Sequence, residues 1–336
     1  MAIHTLDELK QRQALPLEIK LRMTQQRIRE WVSEFGVEGV YISFSGGKDS
    51  TVLLHIVREL YPDIPAMFVD TGLEYPEIRE FVKTFDNVDW VRPKMNFKQV
   101  INTYGYPVIS KEVSQKVTET RSCPTSYAAK SFIPESEGGR PAQYNMSHYR
   151  FLLDAPFKIS HKCCAVMKKN PAKKYEKETG RVKITGEMAI ESRLRTTKWL
   201  QHGCNAFDNK RPVSKPMSFW LEQDVLKYIK TNNIKIASVY GDIVVDTSDP
   251  IRNQIKLWDM PGVDDNVPLM LTGCKRTGCM FCGYGCQLKD DQRFVQMKQT
   301  HPKQYDYIMR PCEQGGLNYK EVIDWINEHG NLNIKY

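Results

Sequence analysis

The spacing of apolar residues near the start of the chain predicts a long helix. Over residues 17–35 apolar side chains recur at roughly helical spacing, and Pro16 stands just ahead, where a helix start tolerates proline. The apolar positions are Leu17, Leu21, Ile28, Trp31, Val32 and Phe35. We therefore predict an amphipathic helix within a helical N-terminal extension, residues 1–36.

Beyond this extension, strand-like and helix-like segments alternate. Short β-rich runs cover residues 37–44 and 64–69 and the neighbourhood of Trp90, and helical spacing covers residues 50–60 and resumes from about Tyr75. This alternation is typical of a parallel sheet with crossover helices. We predict an α/β fold in which ligands bind at the carboxyl ends of the strands.

The rest of the chain is less regular. Residues 114–160 carry scattered aromatic, glycine and proline residues and are predicted as a loop-rich insertion. Helical patterns return at 166–179, 220–229 and 318–329, and residues 182–186 form a short strand-like run. We predict a nucleotide-binding domain over residues 37–260 and a cysteine-rich C-terminal region over 261–336.

Six consecutive residues, Ser45-Gly46-Gly47-Lys48-Asp49-Ser50, join the first predicted strand to a helix, and we call them the phosphate loop. A glycine pair lets the backbone turn and point successive N–H groups at an anion, and the following helix adds its positive end. Lys48 supplies a cation, the two serines supply hydroxyls, and Asp49 orients these groups or helps to hold a metal ion. The spacing is too short for the G-x-x-x-x-G-K-[ST] pattern.

Charge and composition narrow the setting of this chemistry. The 336 residues are 41% apolar and carry a net charge of +8, which fits polyphosphate ligands or a nucleic acid as well as plain solubility. No run of about 18 uncharged apolar residues is present, and the first twenty residues lack the apolar region of a secretory signal. We expect a cytoplasmic protein without a membrane segment.

Nine cysteines, most of them clustered, predict metal or redox chemistry in a reducing compartment. The clusters are Cys163-Cys164 and the group Cys274, Cys279, Cys282 and Cys286. Four nearby thiolates suit an iron–sulfur cluster or zinc, and the C-terminal group alone has enough cysteines for a local ligand set. Cys123, Cys204 and Cys312 stand alone, and we expect them to be packed thiols.

Several motifs together resemble the phosphoadenylylsulfate (PAPS) reductase family within the PP-loop ATP pyrophosphatase superfamily. The phosphate loop has that superfamily's S-G-G-K-D-S pattern, and Asp70-Thr71-Gly72 with Tyr75-Pro76-Glu77 resembles a reductase segment. His161-Lys162-Cys163-Cys164 with Lys168 resembles a second segment, and Gly278-Cys279-x-x-Cys282 resembles half of the reductases' cluster site. Gly186 with Glu191, Ser192 and Arg195 resembles a segment of DNA phosphorothioation ATP pyrophosphatases.

This resemblance implies an adenine nucleotide alpha-hydrolase-like, Rossmann-like fold with a five-stranded parallel sheet flanked by helices. It implies that the phosphate loop cradles the phosphates of ATP, or those of PAPS or adenylyl sulfate (APS), with Asp70, Thr71 and Gly72 near the adenosine. Gly186, Glu191, Ser192 and Arg193 complete the implied nucleotide site, and Lys48, Asp49 and Arg195 are the implied catalytic residues, with Mg²⁺ on the phosphates.

The resemblance also bears on the cysteines. It implies a [4Fe–4S] cluster on Cys163, Cys164, Cys279 and Cys282, with zinc as the alternative metal. Cys274 and Cys286 remain alternative ligands, because the phosphorothioation relatives flank a similar core with cysteines and Arg276-Thr277-Gly278-Cys279 fits that core. One position departs from the pattern: Met188 stands where the family has arginine, which removes a bidentate anion contact.

Three functions follow from these observations. In the first, ATP adenylates an acceptor with release of pyrophosphate, and sulfur from a donor such as a cysteine desulfurase then displaces AMP; a nucleic acid is one candidate acceptor. In the second, the chain reduces PAPS or APS to sulfite with thioredoxin. In the third, it is a non-catalytic nucleotide- or nucleic-acid-binding module. The first is our leading prediction, since Met188 and the absence of a mobile cysteine tail disfavour the second.

Overall fold

The structure, a computed structural model, describes residues 3–247 and 267–336. Its helices are α1 (Leu6–Gln13), α2 (Leu17–Phe35), α3 (Lys48–Leu60), α4 (Pro76–Lys83), α5 (Phe97–Tyr104), α6 (Lys111–Ser122), α7 (Asn170–Thr179), α8 (Arg193–His202), α9 (Glu222–Thr231), α10 (Arg293–Thr300), α11 (Pro302–Met309) and α12 (Tyr319–Gly330). Its strands are β1 (Val40–Ser43), β2 (Ala66–Val69), β3 (Val88–Val91), β4 (Val108–Ile109), β5 (Val182–Ile184), β6 (Asn205–Ala206), β7 (Val213–Ser214), β8 (Ile243–Val245), β9 (Leu269–Leu271) and β10 (Gly283–Tyr284).

The described residues form two compact units, and the chain passes between them several times. Unit 1 contains Met1–Asp70, Glu74–Val91 and Ala172–Thr277, and unit 2 contains Thr71–Leu73, Arg92–Pro171 and Gly278–Tyr336. Among the described residues, no helix has the combination of length and apolar character that crossing a membrane demands.

The central sheet of unit 1 has the strand order β3-β2-β1-β5-β7-β6. The first five of these strands run parallel, and β6 pairs antiparallel with β7 at one edge. The predicted α/β class and five-stranded parallel sheet are thus confirmed, with a two-residue antiparallel edge strand added. Parallel strands align their carboxyl ends at one side of the sheet, so the turns that follow β1, β2 and β5 share that side.

The core of unit 1 explains why these segments fold together. Apolar residues of β1 and α3 are almost entirely buried there, and so are Ile28 and Trp31 of the predicted N-terminal helix. Helix α2 begins after Pro16, as its sequence predicts, and ends at Gly36, whose φ of 74° favours glycine. The N-terminal extension therefore contributes to the core of unit 1.

Unit 2 holds shorter elements. Strand β10 pairs parallel with β4, and helices α10, α11 and α12 follow it along the chain. The loop-rich insertion predicted from residue 114 starts later than expected, since helix α6 continues to Ser122. Ser110 caps the first turn of this helix, and Val113 and Val117 supply a buried face. Short 3₁₀ turns then occupy much of residues 129–154, as an irregular insertion would. The domain boundary expected at residues 260–261 lies outside the described residues.

Candidate functional site

The phosphate loop lies between β1 and α3, at the carboxyl end of the central sheet strand. Gly46 has a φ of 71°, and a Cβ there would come within 2.7 Å of side-chain carbons of both Ile78 and Val82. Both the backbone conformation and the close packing therefore require glycine at this position. Gly47 is the N-cap of α3, so the next residues form the first turn of the helix.

Hydrogen bonds within the phosphate loop hold its shape. The Ser50 hydroxyl donates to the Gly47 carbonyl at 2.9 Å and accepts from the backbone N–H of Ser45 at 3.2 Å. The two serine hydroxyls lie 3.0 Å apart, and the Gly47 N–H donates to the Ser45 hydroxyl at 3.4 Å. The loop is therefore a preformed turn whose two serines serve as internal braces.

Lys48 is nearly inaccessible, with 2% of its surface exposed, and its ammonium group has three oxygen neighbours. Nζ lies 3.3 Å from a Glu222 carboxylate oxygen, 3.3 Å from the Lys275 carbonyl and 3.5 Å from an Asp49 carboxylate oxygen. A buried cation needs such partners, since burial without them is costly. The structure thus places a paired ammonium at the start of α3.

The backbone N–H of Lys48 also has a partner. It donates to the Tyr240 hydroxyl at 3.0 Å, and that hydroxyl lies 2.6 Å from the hydroxyl of Thr277. Burial raises the pKa of Tyr240 to about 12, so the phenol stays protonated at neutral pH. In many phosphate sites the backbone N–H groups of the first helical turn point at the anion. Here the Lys48 N–H is instead hydrogen-bonded to the Tyr240 hydroxyl.

Asp49 sits beside this lysine in a strongly desolvated position. Burial raises its pKa, the Lys48 ammonium opposes that effect, and the carboxylates of Glu191 and Glu222 add to it. Its Oδ1 atom is buried, makes no hydrogen bond of ordinary geometry among the residues that the structure describes, and lies 3.5 Å from the Lys48 ammonium. A buried carboxylate oxygen next to a phosphate loop matches the donor preference of Mg²⁺, which takes oxygen ligands.

The segment after β5 packs against the phosphate loop. A Cβ at Gly186 would lie 2.9 Å from the Asp49 carbonyl oxygen, so a larger residue would push the two turns apart. Met188, at the position where the family pattern has arginine, is 2% exposed and belongs to the core of unit 1. Its backbone N–H donates to the Glu191 carboxylate at 2.9 Å. Position 188 therefore serves packing in this chain.

The residues that follow start helix α8. Ser192 caps the helix by accepting from the Arg195 N–H at 3.3 Å, and the Arg195 guanidinium forms an ion pair with Glu191. Arg193 is exposed at the first turn of the helix. The structure therefore places these predicted residues together in unit 1, with one of the two arginines already paired to a carboxylate.

The predicted Asp70-Thr71-Gly72 turn divides between the two units. Asp70, directly after β2, belongs to unit 1, where the Arg79 guanidinium approaches both of its carboxylate oxygens at 3.0 and 3.1 Å. Thr71 and Gly72 belong to unit 2. There the Thr71 hydroxyl accepts from the Leu73 N–H at 3.1 Å, and Gly72 has a φ of 74°. The predicted role of this turn near the adenosine remains a prediction.

Four predicted metal ligands lie in unit 2, and we call them the thiol group: Cys163, Cys164, Cys279 and Cys282. The sulfur atoms of the adjacent pair are 3.9 Å apart, with Cys163 as the donor. That hydrogen bond lowers the pKa of Cys164, and three lysines lower it further against the effect of burial; they are Lys111, Lys168 and Lys169. Burial raises the pKa of Cys282, and Cys164 adds to that effect.

The donor chemistry of the thiol group fits a soft metal centre, since thiolates are the ligands of iron–sulfur clusters and of many zinc sites. Sulfurs from both segments are near enough to influence each other's pKa, because Cys282 raises that of Cys163. Within residues 3–247 and 267–336, no three His, Cys, Asp or Glu side chains already stand in metal-binding geometry. The cluster and its ligand set remain a prediction.

The two alternative ligands differ in their surroundings. Cys286 is buried in unit 2, where its thiol donates to the Gly283 carbonyl at 3.0 Å and burial raises its pKa to about 12. Cys274 belongs to unit 1, where burial raises its pKa and a hydrogen bond with Tyr75 opposes that effect. Within unit 2, Cys286 is thus held as a protonated thiol by a backbone acceptor.

The three isolated cysteines were all predicted to be packed thiols, but they differ in burial. Cys204 is buried in the core of unit 1, as predicted. Cys123 is exposed, which corrects the prediction, because it directly follows the last turn of α6 and no element covers it among the described residues. Cys312 is partly buried beside Tyr106, whose pKa is raised chiefly by burial and further by Cys312.

Sequence reasoning missed the residues that surround Lys48 from far along the chain. Glu222, Tyr240, Lys275 and Thr277 lie 170 or more positions away in sequence, so no contiguous motif joins them to the phosphate loop. The helical pattern near residue 220 did indicate α9, but it could not show that the first residue of that helix faces the phosphate loop.

Comparison with known proteins places this site in a family. The sequence model of the phosphoadenosine phosphosulfate reductase domain matches residues 39–110 and 134–284. A phosphoadenosine 5'-phosphosulfate reductase of Xylella fastidiosa is 33% identical over 97 residues, 29% of this chain and 38% of that protein. An uncharacterized protein of Methanocaldococcus jannaschii is 23% identical over 282 residues, 84% of this chain and 49% of that protein. The chain thus spans between about two fifths and half of the length of these curated relatives.

A solved structure completes the comparison. The phosphoadenylyl-sulfate reductase of Candida auris, in complex with phosphate, aligns with a TM-score of 0.38 and 15% identity over 64% of this chain and 82% of that chain. The family's sequence model covers both the phosphate loop and the thiol group, and it matches well over half of the chain. The protein therefore belongs to the phosphoadenosine phosphosulfate reductase domain family.

Proposed function

We propose that this chain is an adenine-nucleotide enzyme of sulfur metabolism that uses ATP to adenylate an acceptor, releases pyrophosphate and then transfers sulfur. The observation that carries the proposal is the phosphate loop at the end of β1, with a buried ammonium at Lys48 and a buried carboxylate oxygen of Asp49 that lies 3.5 Å from that ammonium. A loop of this kind binds phosphates through backbone amides and a positive helix end.

The first half-reaction is written on ATP. An acceptor oxygen attacks the α-phosphorus, the bond to the β-phosphate breaks, and pyrophosphate leaves with the electron pair. Lys48 and the amides of the phosphate loop stabilise the negative charge that develops on this leaving group, which is the largest catalytic contribution in many enzymes of this kind. Asp49 would hold Mg²⁺, which supplies neutralising charge on the phosphates when it is bound.

The surroundings of the loop favour ATP over a sulfonucleotide. Position 188 contributes a buried methionine where a guanidinium would bind a sulfate or phosphate. Arg195 is engaged with Glu191, so Arg193 at the exposed first turn of α8 is the proposed arginine contact for the phosphates. The Asp49 carboxylate beside Lys48 suits a ligand that arrives with a divalent cation.

The second half-reaction belongs to the thiols. A persulfide delivered by a donor such as a cysteine desulfurase attacks, through its terminal sulfur, the acceptor carbon that bears the adenylated oxygen; the C–O bond breaks and AMP leaves with its electron pair. A thiol reductant then attacks the inner sulfur of the resulting disulfide, so that the S–S bond breaks, one sulfur stays on the acceptor and a new disulfide forms between the donor and the thiol. The thiol group would hold a [4Fe–4S] cluster, with zinc as the alternative metal, and a bound iron–sulfur cluster supplies a site for sulfur or electron exchange. An RNA or DNA base is a proposed acceptor, which the net charge of +8 favours.

A second candidate function is reduction of PAPS or APS to sulfite, which the family description and the name of the Xylella fastidiosa relative favour. A thiolate would attack the sulfur of the sulfonucleotide, releasing the adenine nucleotide and forming a thiosulfonate. A thiol of thioredoxin would then release sulfite and leave a disulfide. This reaction needs a thiol reductant and no ATP.

The two candidates separate in one experiment on anaerobically purified protein. One reaction contains ATP and Mg²⁺, with and without RNA or DNA, and is assayed for pyrophosphate; the other contains PAPS, APS and reduced thioredoxin, and is assayed for sulfite. We expect pyrophosphate from the wild-type chain and none from Lys48→Ala. Sulfite formation without ATP would overturn the proposal in favour of the reductase. Tight ATP binding without either product would indicate a non-catalytic nucleotide-binding module.

A further inference from the structure

Glu222 is the first residue of helix α9, and its carboxylate lies 3.3 Å from the Lys48 ammonium. The phosphate-loop chemistry proposed above assigns it no step. Its side chain is 46% exposed, whereas the lysine side chain is 3% exposed. The buried ammonium of Lys48 is therefore paired with a partly exposed carboxylate, which has room to move toward solvent.

The start of α9 is fixed from one side by a buried ion pair. The Lys20 ammonium of α2 lies 2.6 Å from the Asp224 carboxylate, and both residues are buried. The same carboxylate accepts from the backbone N–H of Leu221 at 2.7 Å, which caps the helix. Because the Asp224 carboxylate bonds both to Lys20 and to the Leu221 N–H, it joins the first turn of α9 to helix α2.

A second anchor fixes the same turn from strand β9. The Gln223 side chain donates to the Leu269 carbonyl at 2.9 Å and accepts from the Leu269 N–H at 2.8 Å. This anchor also fixes the two sequence neighbours of Gln223. Asp224 pairs with Lys20 of α2, and Glu222 is directed at the phosphate loop. The helix start thus presents a single acidic side chain to Lys48 from a rigid support.

The charges around Lys48 are unbalanced without a ligand. Two carboxylates, those of Glu222 and Asp49, face one ammonium, and the Lys275 carbonyl adds a third oxygen. A nucleotide phosphate that binds Lys48 must take the place of one of these oxygens. Glu222 is the partner best suited to leave, since it is the more exposed carboxylate and Asp49 is attached to the loop itself.

We propose that Glu222 is a positioning residue of the nucleotide site: it holds Lys48 in place while the site is empty, and the nucleotide phosphates displace it. This inference rests on the proposed nucleotide function. Glu222 therefore competes with the phosphates for Lys48, and the affinity for ATP is lower than it would be without this carboxylate.

The test compares wild type, Glu222→Gln and Glu222→Asp in full-length protein by isothermal titration calorimetry with ATP. We expect Glu222→Gln to lower the Kd for ATP about threefold to fivefold, because a competing charge of modest strength is removed. Glu222→Asp keeps the charge and should stay closer to wild type. Glu59→Gln is the matched control, since that carboxylate faces His55 and Tyr228 in the same unit and does not contact Lys48.

A second readout needs no nucleotide. The rate at which an amine-reactive reagent labels Lys48, followed by mass spectrometry, should rise in Glu222→Gln and not in Glu59→Gln. A purely structural role for Glu222 would leave the labelling rate of Lys48 unchanged in a folded variant.

The outcomes separate the two proposals. If the wild type binds ATP and Glu222→Gln binds it equally well or less tightly, displacement of Glu222 is overturned while the nucleotide function stands. If the wild type binds no ATP, the nucleotide function fails and displacement fails with it. A lower Kd in Glu222→Gln together with faster labelling of Lys48 supports the inference.

Discussion

The phosphate loop and the thiol group are both predicted from short motifs, yet they are built in opposite ways. The phosphate loop is six consecutive residues that brace one another, so its shape follows from local hydrogen bonds. The thiol group comes from two segments more than a hundred residues apart in sequence; a hydrogen bond joins its adjacent pair, and charge adds an influence between the two segments. A contiguous motif specifies geometry, whereas a distributed one specifies only chemistry until the chain has folded.

The two regions also differ in the charged groups that surround them. In unit 1 the buried ammonium of Lys48 faces two carboxylates, and in unit 2 the thiol of Cys164 lies near three lysines. The first arrangement suits a ligand that brings its own cation, and the second favours the thiolate form of Cys164, which is the form that binds metals. Each of the following experiments breaks one of these arrangements.

The largest expected effect is loss of the metal centre from the thiol group. Cys282→Ser should reduce the iron of anaerobically reconstituted protein to background, together with its visible absorbance, because serine does not replace a thiolate toward a soft metal. Cys286→Ser is the control, since that thiol donates to a backbone carbonyl in the structure. If Cys286→Ser loses the iron and Cys163→Ser keeps it, the C-terminal cysteines form the ligand set by themselves.

The next effect is on catalysis at the phosphate loop. Lys48→Ala should lower the rate of pyrophosphate release by about two to three orders of magnitude, because it removes the cation that stabilises the leaving group. Lys83→Ala, which removes an exposed lysine paired with Glu80, provides the control. A rate for Lys48→Ala within a few-fold of wild type would mean that the loop amides alone carry the leaving-group charge.

A smaller effect is expected on the stability of unit 1. Gly46→Ala should cost about 3 kcal/mol of unfolding free energy, since it combines an unfavourable positive φ with collisions against Ile78 and Val82. Gly180→Ala is matched in φ, at 72°, but a Cβ there meets no atom within 4 Å, so only about 1 kcal/mol is expected. Urea unfolding measures both, and equal losses would show that packing against α4 contributes nothing.

The smallest effect concerns Asp49 and pH. Burial raises the pKa of Asp49 in the folded chain, so the ionised carboxylate destabilises the folded state. The folded chain is therefore more stable at acidic pH, where Asp49 is protonated, and it loses this stability as pH rises through the folded pKa. Asp49→Asn should therefore raise the unfolding free energy by about 1 kcal/mol at pH 7, and the gain should shrink toward pH 3. A gain that does not depend on pH would assign the effect to something other than the carboxylate charge.

Sequence reasoning identified the elements that have strong local patterns. Helices α2 and α3 and strands β1, β2 and β5 fall where apolar spacing predicts them, and the parallel sheet follows from their alternation. It did not identify helix α6, because the same segment also has the polar composition of a loop and only a narrow buried stripe.

The candidate site was predictable only as far as its motifs are contiguous. The loop residues Ser45 to Ser50 lie together as predicted, and Gly186 packs against them. The partners of Lys48 could not be predicted, since Glu222 and Tyr240 reach it through tertiary packing alone. Met188 shows the complementary case, in which a departure from a family pattern coincides with a position buried in the core.

The order in which the two units use the chain has a consequence during synthesis on the ribosome. Strand β1 pairs with β5, and the register joins Val40 to Val182, about 140 residues later. At a synthesis rate of roughly 5–20 residues per second, β1 waits on the order of 7 to 30 seconds for this neighbour. The cysteines at 163 and 164 of unit 2 are likewise made more than 100 residues before Cys279 and Cys282 of the same unit. A metal centre on all four could be loaded only after Cys282 has been synthesised.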